Sequence, residues 1–469
     1  MKRVQSVVKL FDAYIPGRTL LLVLTETVFI FLAMVAAVFL RFGIDAELAL
    51  SYQRGFLKVA IVSAVCLICL YYFDLYDSVV ISNPREVLTR LIVVLGVVCL
   101  IFAVLYYFFP PLQLGGGIFL IGIVLVGISL TASREAFFAL NRSARFLDPT
   151  ILLGEGPLAR SLAQEIRNRR ELGMNLIGYV GTSESSGSNL NGLPLLGMPE
   201  DLGSLIAQRR VKRIVVALQD RRSTMPVREL LDLRLKGFQV DDGGRLLERI
   251  SGKIEVDQLH PSWLIFSDGF RLQPAVLVVQ RLMAIVVSLV LLIAVLPLIP
   301  LVALLVKLTS RGPTFYRQKR VGKDGIAFNC YKFRTMRADA EADTGPTWAS
   351  DSDPRITPVG RFLRVTRVDE IPQLWNVFRG DMNFVGPRPE RPEFDAWLKK
   401  EIPYYYLRQI VRPGITGWAQ IGCGYGASLE QSKEKMRYDL YYIKNMSLAL
   451  DLLIIFQTIK TVLFGVGAR

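Results

Sequence analysis

Histidine is nearly absent from this sequence, because His260 is the only one among 469 residues. A histidine-rich zinc site is therefore excluded, and catalytic machinery of the Ser-His-Asp or Cys-His type is not expected. Any chemistry has to rely on carboxylates, on Lys, Arg or Tyr, or on a hard metal ion that prefers oxygen ligands.

Cysteine is also scarce, with five residues scattered along the chain at positions 66, 69, 99, 330 and 423. This spacing indicates no disulfide framework and favours a reducing compartment. Cys66 and Cys69 form a C-x-x-C pair, but they lie inside the apolar run VAIVSAVCLICLYYF. We therefore interpret both as small hydrophobic residues of a membrane helix.

Acidic residues are fewer than basic ones, 41 against 56, which gives a net charge of +15. A positive surplus suits an anionic partner: nucleic acid, an anionic membrane surface or a phosphorylated substrate. The apolar fraction is 52%, and the apolar runs are long. These runs favour the membrane over nucleic acid, and we expect no nucleic-acid partner.

Apolar runs predict four transmembrane helices within residues 1–141. The first two runs cover residues 19–40 and 59–73, and the third, 91–133, carries no charge. The third run is too long for one span and is broken by Pro110-Pro111 and by the glycines that follow. We interpret it as two helices joined by a turn.

Basic residues on both sides of this region predict its orientation. Lys2, Arg3 and Lys9 precede the first helix, and Arg134, Arg142 and Arg145 follow the fourth. The positive-inside rule therefore places the chain after about residue 141 in the cytoplasm. Three basic residues of the outer loop, Arg41, Arg54 and Lys58, weigh against this orientation.

Residues 148–260 are predicted to form a Rossmann-like, nucleotide-binding-like α/β domain. The segment DPTILLGEGPLARSLAQEI indicates a strand, a glycine turn and a helix. The turn contains Gly154 and Gly156, but Leu158 and Ala159 follow where a third glycine would stand. The sequence leaves two interpretations open: a nucleotide site, or a scaffold or dimerisation domain without a ligand.

A second apolar region covers residues 275–307, and its core between Arg281 and Lys307 has no charged residue. Pro297 and Pro300 lie inside this region, and proline removes a helix hydrogen bond and clashes with the preceding turn. We predict a proline-bent re-entrant helix that leaves both ends in the cytoplasm. The alternative, a straight fifth span, would place residues 308–469 outside.

Residues 308–469 are predicted to form the catalytic domain. In the segment VDEIPQLWNV, Asp369 and Glu370 stand just before Pro372, which suits the first turn of a helix. Carboxylates there could face a reacting phosphorus or hold Mg²⁺, and Arg388, between Pro387 and Pro389, suits a phosphate clamp. Taken alone, the two carboxylates could equally belong to a surface ion-pair network.

Several motifs in order resemble the bacterial polyprenyl-phosphate sugar-1-phosphate transferases, the monotopic phosphoglycosyl transferases. They are YKFRTM (331–336), DPRIT (353–357), GRFLR (360–364), VDEIPQLWNV (368–377), GDMNFVGPRPE (380–390), RPGITGWAQI (412–421) and YDLYYIKN (438–445). The resemblance covers roughly residues 275–469. The whole chain is similar to the large, exopolysaccharide-associated members, which add four helices and a nucleotide-binding-like domain.

The resemblance implies a small α/β catalytic domain on the inner leaflet and transfer of sugar-1-phosphate from a UDP-sugar to polyprenyl (undecaprenyl) phosphate, with release of UMP. Asp369 would be the nucleophile that forms a covalent phospho-sugar intermediate. Glu370 would coordinate Mg²⁺, the expected cofactor. Lys332, Arg364, Pro387 and Arg388 match substrate-binding positions. A homodimer is a further candidate assembly.

The sequence departs from the family pattern after Gln420, where relatives continue with Asn and Arg that are absent here. Tyr425 or Lys433 could compensate. Two further interpretations stay open. One is direct transfer with Asp369 as a base or metal ligand. The other is a non-catalytic membrane assembly or nucleotide-sensing protein. A transporter fits poorly, because only Glu26 is clearly intramembrane.

Overall fold

A computed structural model of the chain describes residues 7–10, 13–52, 54–76, 84–115, 117–142, 147–181, 190, 192–218, 225–256, 264, 269–270, 273–337, 340, 353–423 and 428–463. His260 and Tyr425 lie outside these residues. The chain divides into two compact units. The first comprises Met1–Lys9 and Tyr14–Ser251, and the second comprises Leu10–Ala13 and Gly252–Arg469.

Long apolar helices dominate the first part of the first unit. Two short strands precede them, β1 (Val7–Leu10) and β2 (Ala13–Pro16). The helices are α1 (Gly17–Phe42), α2 (Ala46–Tyr52), α3 (Gly55–Tyr72), α4 (Pro84–Phe108) and α5 (Ile118–Arg142). By length and composition, α1, α3, α4 and α5 can each cross a membrane. The predicted break of the third apolar run is confirmed, since α4 ends before Pro110 and α5 begins after Gly117.

A parallel five-stranded sheet forms the rest of the first unit. Its elements are β3 (Asp148–Leu153), α6 (Pro157–Asn168), β4 (Met174–Val180), β5 (Leu195–Gly197), α7 (Leu202–Arg209), β6 (Arg213–Val216), α8 (Val227–Leu235), β7 (Gln239–Asp242) and α9 (Gly243–Ser251). The strand order β5-β4-β3-β6-β7 is that of a Rossmann fold. Sequence analysis missed β5 and β7, because both are short and are not fully apolar.

Side chains of β3 alternate between the two faces of this sheet. Leu152 packs in the core under α6 and α9, whereas Ile151 and Leu153 pack under α7 and α8. The predicted glycine turn follows β3. Gly154 has a φ of +122°, and a Cβ there would lie 2.6 Å from the carbonyl oxygen of Ala217, so only glycine fits this close approach.

The second unit begins with a broken helix. Helix α10 (Pro274–Val295) ends before Pro297, and α11 (Leu298–Thr309) begins after it. Pro300 lies in the first turn of α11, where its ring and missing N–H prevent a regular bond to the carbonyl of Leu296. The predicted interruption at Pro297 and Pro300 is therefore confirmed.

Both limbs of this broken helix contact the same folded domain. On α10, Ala284 packs with Val377 and Met382. On α11, Val302 and Val306 pack with Phe333 and Leu363. Between these contacts the chain exposes large apolar side chains, namely Leu289, Val290, Ile293, Leu296 and Leu301.

Short helices and strands complete the second unit. They are β8 (Phe315–Val321), β9 (Ala327–Phe333), α12 (Pro358–Val365), α13 (Gln373–Arg379), β10 (Asn383–Val385), α14 (Pro392–Glu401), β11 (Gly414–Thr416), α15 (Trp418–Gly422), α16 (Leu429–Lys444) and α17 (Leu448–Leu463). Strands β8 and β9 pair antiparallel, and β10 and β11 pair parallel.

Candidate active site

The Asp369-Glu370 pair lies in a tight 3₁₀ turn, Val368–Glu370, between α12 and α13. Arg367 opens the turn with a φ of +58°, in the left-handed region. Pro372 has helical angles, φ −62° and ψ −17°, and stands immediately before α13 rather than inside its first turn. The carboxylates are therefore presented by a turn that runs into a helix, close to the predicted arrangement.

Asn376 anchors this helix to strand β9. Its Nδ2 donates to the carbonyl of Asn329 at 2.7 Å, and its Oδ1 accepts from the backbone N–H of Tyr331 at 3.0 Å. Asn376 is fully buried, so these bonds satisfy groups that would otherwise lose water. The anchor brings the turn beside Lys332, the next residue on β9.

The Gly-Pro-Arg-Pro loop is held by hydrogen bonds to its carbonyl groups. Pro387 accepts from the N–H of Gly414 at 3.0 Å, Arg388 from Arg408 Nη2 at 3.0 Å, and Pro389 from Arg320 Nη1 at 3.1 Å. The loop therefore presents the Arg388 side chain from a fixed backbone, and Pro387 contributes to the backbone rather than a polar side chain.

Close backbone contacts explain the glycines on either side of this loop. A Cβ on Gly414 would lie 2.1 Å from the nitrogen of Gly386, and a Cβ on Gly417 would lie 2.2 Å from its carbonyl oxygen. The parallel pairing of β10 and β11 requires this approach, with Val385 opposite Thr416. The glycines of GPRP and GITG thus allow the same close contact between two backbone segments.

Two cations meet on Glu370. Lys332 Nζ and Arg388 Nη2 each lie 2.7 Å from its Oε1. Burial by itself raises the pKa of Glu370, but Arg388 and Lys332 outweigh it, so the pKa lies below the usual range. Glu370 therefore stays ionised and holds both cations beside the turn.

Asp369 has the opposite character. The residue is only 6% exposed, and its Oδ1 is buried without a hydrogen-bond partner among the described residues. Burial raises the pKa of Asp369, against the opposing effect of Lys332, and the charge of Glu370 raises it further. Glu370 is thus ion-paired with Lys332 and Arg388, whereas Asp369 keeps an unpaired oxygen in a cationic environment.

Arg364 lies at the edge of this cluster. Its Nε donates to the hydroxyl of Thr335 at 3.0 Å, and its charge lowers the pKa of Asp369. The predicted residues Lys332, Arg364, Asp369, Glu370 and Arg388 therefore belong to one site. Lys433, proposed to compensate for the missing arginine, lies on α16, and its role stays a prediction.

Sequence analysis missed several residues that support the site. The buried residues Asn376 and Arg408 and the partly buried Arg320 fix the turn and the loop. In DPRIT, Asp353 binds Arg355 through both oxygens, at 2.8 and 2.6 Å, and this bond keeps the pKa of Asp353 low. Asn376 and Asp353 lie within quoted motifs, whereas no quoted motif contains Arg320 or Arg408.

The site offers the carboxylates of Asp369 and Glu370 as oxygen ligands for Mg²⁺. The described residues contain no group of three or more His, Cys, Asp or Glu side chains that could hold a metal ion. Glu370 Oε2 takes no hydrogen bond within the described chain, and Asp369 Oδ1 is unpaired. One or two carboxylates completed by water and substrate phosphates are a usual Mg²⁺ environment, so these residues fit the ion.

Comparison with known families identifies two segments. Residues 275–465 match the family model described as bacterial sugar transferase, and residues 71–232 match the one described as CoA-binding domain. The first match contains the whole Asp369 site. The second contains strands β3 to β6 of the parallel sheet.

Individual relatives agree with the first match. A UDP-glucose:undecaprenyl-phosphate glucose-1-phosphate transferase of Xanthomonas campestris pv. campestris is 30% identical over 429 residues, which are 87% of each chain. A UDP-N-acetylgalactosamine-undecaprenyl-phosphate N-acetylgalactosaminephosphotransferase of Aeromonas hydrophila is 43% identical over 48% of this chain, and the match spans 52% of that relative. Because one relative matches along nearly its whole length, this chain belongs to the bacterial sugar transferase family of undecaprenyl-phosphate sugar phosphotransferases.

Proposed function

We propose that this chain transfers sugar-1-phosphate from a UDP-sugar to polyprenyl phosphate, with undecaprenyl phosphate as the acceptor and UMP as the other product. The reaction would begin assembly of an exopolysaccharide or a related glycan on the cytoplasmic side of the bacterial inner membrane. The named activities of the relatives support a UDP-sugar donor and an undecaprenyl phosphate acceptor.

One observation carries the mechanism: Asp369 keeps a buried, unpaired carboxylate oxygen next to three cationic side chains. A structural carboxylate at this depth would be expected to use its oxygens in hydrogen bonds. An unpaired oxygen suits a nucleophile instead, because no bond has to break before it attacks. The cations suit a substrate that brings two phosphates.

The proposed reaction has two displacements. An Asp369 oxygen attacks the sugar-linked phosphorus of the UDP-sugar, an O–P bond forms, and the bond to the UMP oxygen breaks. An oxygen of the lipid phosphate then attacks the same phosphorus, and Asp369 leaves as a carboxylate. The nucleophile is regenerated, and the sugar phosphate is linked to the lipid by a diphosphate.

Cations make this approach electrostatically feasible. A carboxylate and a diphosphate repel each other, and fixed positive groups offset the repulsion without reorganisation during the reaction. Lys332 and Arg388 are held at Glu370 and would turn part of their hydrogen-bonding capacity to the phosphates. Mg²⁺, held through Glu370, would supply further neutralisation of the diphosphate.

The broken helix supports membrane attachment from one side. Along a straight helix Ala284 and Val306 would lie about 33 Å apart, at about 1.5 Å per residue, with exposed apolar residues between them. Yet Ala284 and Val306 pack against the same domain. We infer a re-entrant hairpin whose exposed apolar apex enters one leaflet, with both ends in the cytoplasm.

A single-turnover experiment tests the nucleophile. The full chain in detergent micelles would be incubated with Mg²⁺ and a UDP-sugar labelled in the sugar, without lipid acceptor. We expect labelled protein and one equivalent of UMP, and loss of both in Asp369→Asn. Asp324→Asn is a matched control, because Asp324 is an exposed aspartate in the turn between β8 and β9.

The outcomes separate the competing mechanisms. UMP release only when polyprenyl phosphate is present, with no labelled protein, would support direct transfer instead. UMP release that persists in Asp369→Asn would contradict the assigned nucleophile. A panel of UDP-glucose, UDP-galactose and UDP-N-acetylgalactosamine, assayed with acceptor, would identify the sugar.

A further inference from the structure

Arg334 is a buried arginine at the junction between helix α11 and the catalytic domain. The residue is 5% exposed, and it follows strand β9 directly. Residues 310–314 connect the end of α11 to the start of β8. The reaction proposed above uses Lys332 of the same motif but gives Arg334 no role. Because a buried guanidinium is costly unless it is hydrogen-bonded, its partners indicate what it does.

Arg334 donates hydrogen bonds to three residues of this connection. Its Nη1 donates to the carbonyl of Arg311 at 3.0 Å, and its Nη2 donates to the carbonyl and the hydroxyl of Ser310 at 2.7 and 3.0 Å. Its backbone N–H donates to the carbonyl of Thr314 at 2.9 Å. The guanidinium also lies just past the C-terminal end of α11, where a cation offsets the negative end of the helix dipole. Arg334 therefore fixes both ends of the connection.

The connection marks the boundary between apolar and polar surface. Leu304 and Leu308, in the second half of α11, are exposed, and so is Arg311 just beyond the helix. Exposed leucines favour the lipid interior, whereas an arginine favours the headgroup region. In a hairpin that enters one leaflet, the headgroups therefore lie close to Ser310. Arg334 thus holds the segment that determines how deeply the catalytic domain is seated at the membrane surface.

The same strand carries a cation of the reaction centre. Lys332 lies two residues before Arg334, a separation of at most about 7 Å along the chain. Its Nζ pairs with Glu370 at 2.7 Å. The position of Lys332 does not depend on Arg334, because β9 pairs with β8 along its whole length and is also bonded by Asn376. Loss of the Arg334 guanidinium should therefore leave the reaction centre assembled and loosen its attachment to α11.

The two substrates differ in how they reach this centre. The UDP-sugar is soluble in water and approaches from the aqueous side. The phosphate of undecaprenyl phosphate is instead held at the depth of the headgroups by its long chain. Only the second displacement therefore requires the reaction centre to stand at a fixed height above the leaflet. Misplacement of reacting groups by about 1 Å can cost about 10²-fold in rate.

We propose that Arg334 is a positioning residue for the second displacement. By fixing the end of α11 to β9, it sets the height of the reaction centre relative to the phosphate of the lipid acceptor. This inference rests on the proposed function. A merely structural role would predict an equal loss of rate for every acceptor, whereas a positioning role predicts a loss only for an acceptor that is confined to the membrane.

A comparison of two acceptors tests the inference, with the full chain in lipid nanodiscs of phosphatidylethanolamine and phosphatidylglycerol. One acceptor is undecaprenyl phosphate within the nanodisc. The other is a short-chain prenyl phosphate that dissolves in water and can approach at any depth. Arg334→Met keeps an apolar stem and removes the guanidinium. We expect this variant to transfer to undecaprenyl phosphate about tenfold more slowly than the wild-type chain, and to the short-chain acceptor at the wild-type rate.

Two further variants complete the comparison. The matched control is Arg317→Met, because Arg317 is an exposed arginine on β8, the strand that pairs with β9. This control should transfer to both acceptors at the wild-type rate. Arg334→Lys keeps the charge but not the forked guanidinium, so it should restore only part of the rate with undecaprenyl phosphate.

Equal slowing of Arg334→Met with both acceptors, or no slowing with either, would overturn the inference and leave the proposed function intact. A wild-type chain that transfers sugar-1-phosphate to neither acceptor would overturn both. Should Arg334→Met fail to fold, Arg334→Lys takes its place in the same comparison. Slowing of Arg334→Lys with undecaprenyl phosphate alone then supports the inference, and any other pattern contradicts it.

Discussion

Arg281 donates a hydrogen bond of 2.6 Å from its Nη1 to the carbonyl of Val377. Its Nη2 also donates to the carbonyl of Phe378 at 2.9 Å. These carbonyls belong to the last turn of α13, the helix that follows the Asp369-Glu370 turn. The guanidinium of Arg281 on α10 thus donates hydrogen bonds to the terminal carbonyls of α13 and offsets the negative end of its helix dipole. Helix α13 lies beside the candidate nucleophile.

Replacing Arg281 with Met should therefore reduce both stability and activity. The change keeps an apolar stem but leaves two carbonyls of α13 without their charged donor, at a cost of about 1.5–3 kcal/mol. Thermal unfolding in micelles and the rate of UMP release would measure the two effects. Arg379→Met is the matched control, because Arg379 lies on the same helix, is 60% exposed and has only a 3.7 Å contact with Asp381. Equal behaviour of the two variants would contradict this role.

Lys332→Met should change how activity depends on pH. Burial raises the pKa of Asp369, and Lys332 is the strongest opposing influence, so its removal should raise that pKa further. In the proposed reaction the ionised carboxylate of Asp369 is the nucleophile, so activity should fall as the pH falls through this pKa. The acidic limb of the pH–rate profile should therefore move to higher pH.

Lys332→Met should also lower the maximal rate about 10²-fold, because it removes a fixed positive group from the phosphates. Initial rates of UMP release across the pH range would measure both effects. Lys319→Met, an exposed lysine on β8, should leave the profile unchanged. An unmoved acidic limb in Lys332→Met would argue against Asp369 as the group that titrates.

Asp451 should make the stability of the second unit depend on pH. Burial raises its pKa to about 7, even though Tyr442 and Gln280 donate hydrogen bonds to it at 2.9 and 2.8 Å. The folded state therefore binds a proton more tightly than the unfolded state between about pH 4 and 7. Stability due to this proton is fully present below about pH 4 and is lost as the pH rises to about 7.

Asp451→Asn should remove this dependence. The loss across that range is on the order of 4 kcal/mol for the wild-type chain, and a variant without the titrating group should show a much flatter curve. Thermal unfolding at several pH values would measure it. Asp232→Asn, at an aspartate whose side chain is 67% exposed, should retain the wild-type slope. An identical slope in Asp451→Asn would rule out Asp451 as its source.

Glu26→Gln should be severely destabilising. Glu26 is fully buried in the apolar helices, and its two oxygens bind Arg134 at 2.6 and 3.0 Å and the hydroxyl of Tyr76 at 2.8 Å. Removing its charge leaves the buried guanidinium of Arg134 uncompensated, which costs about 3–5 kcal/mol.

The matched comparison for Glu26→Gln is Glu86→Gln. Glu86 pairs with Arg90 at 2.6 Å, but both side chains are more than 30% exposed, so the loss should stay below about 1 kcal/mol. Unfolding transitions of the two variants in the same micelles would measure the difference. Similar transitions would show that the buried pair contributes no more than the exposed one.

Local sequence patterns were sufficient to predict part of the secondary structure. Apolar runs predicted the long helices, two prolines predicted the interruption between α10 and α11, and the strand-turn-helix pattern predicted β3 and α6. These features depend on hydrophobic burial and on backbone restrictions of neighbouring residues, which can be recognised along the chain. Strands β5 and β7 were not predicted, because they are short and not fully apolar.

The sequence by itself determined that chemistry based on histidine is not expected, and its resemblance to the family motifs implied roles for the Asp369-Glu370 pair and the nearby cations. Only the tertiary structure decided how the two carboxylates differ. Glu370 receives Lys332 and Arg388 from separate segments, whereas burial leaves an Asp369 oxygen unpaired. Burial and ion pairing between distant segments arise from packing, and no pattern of adjacent residues contains that information.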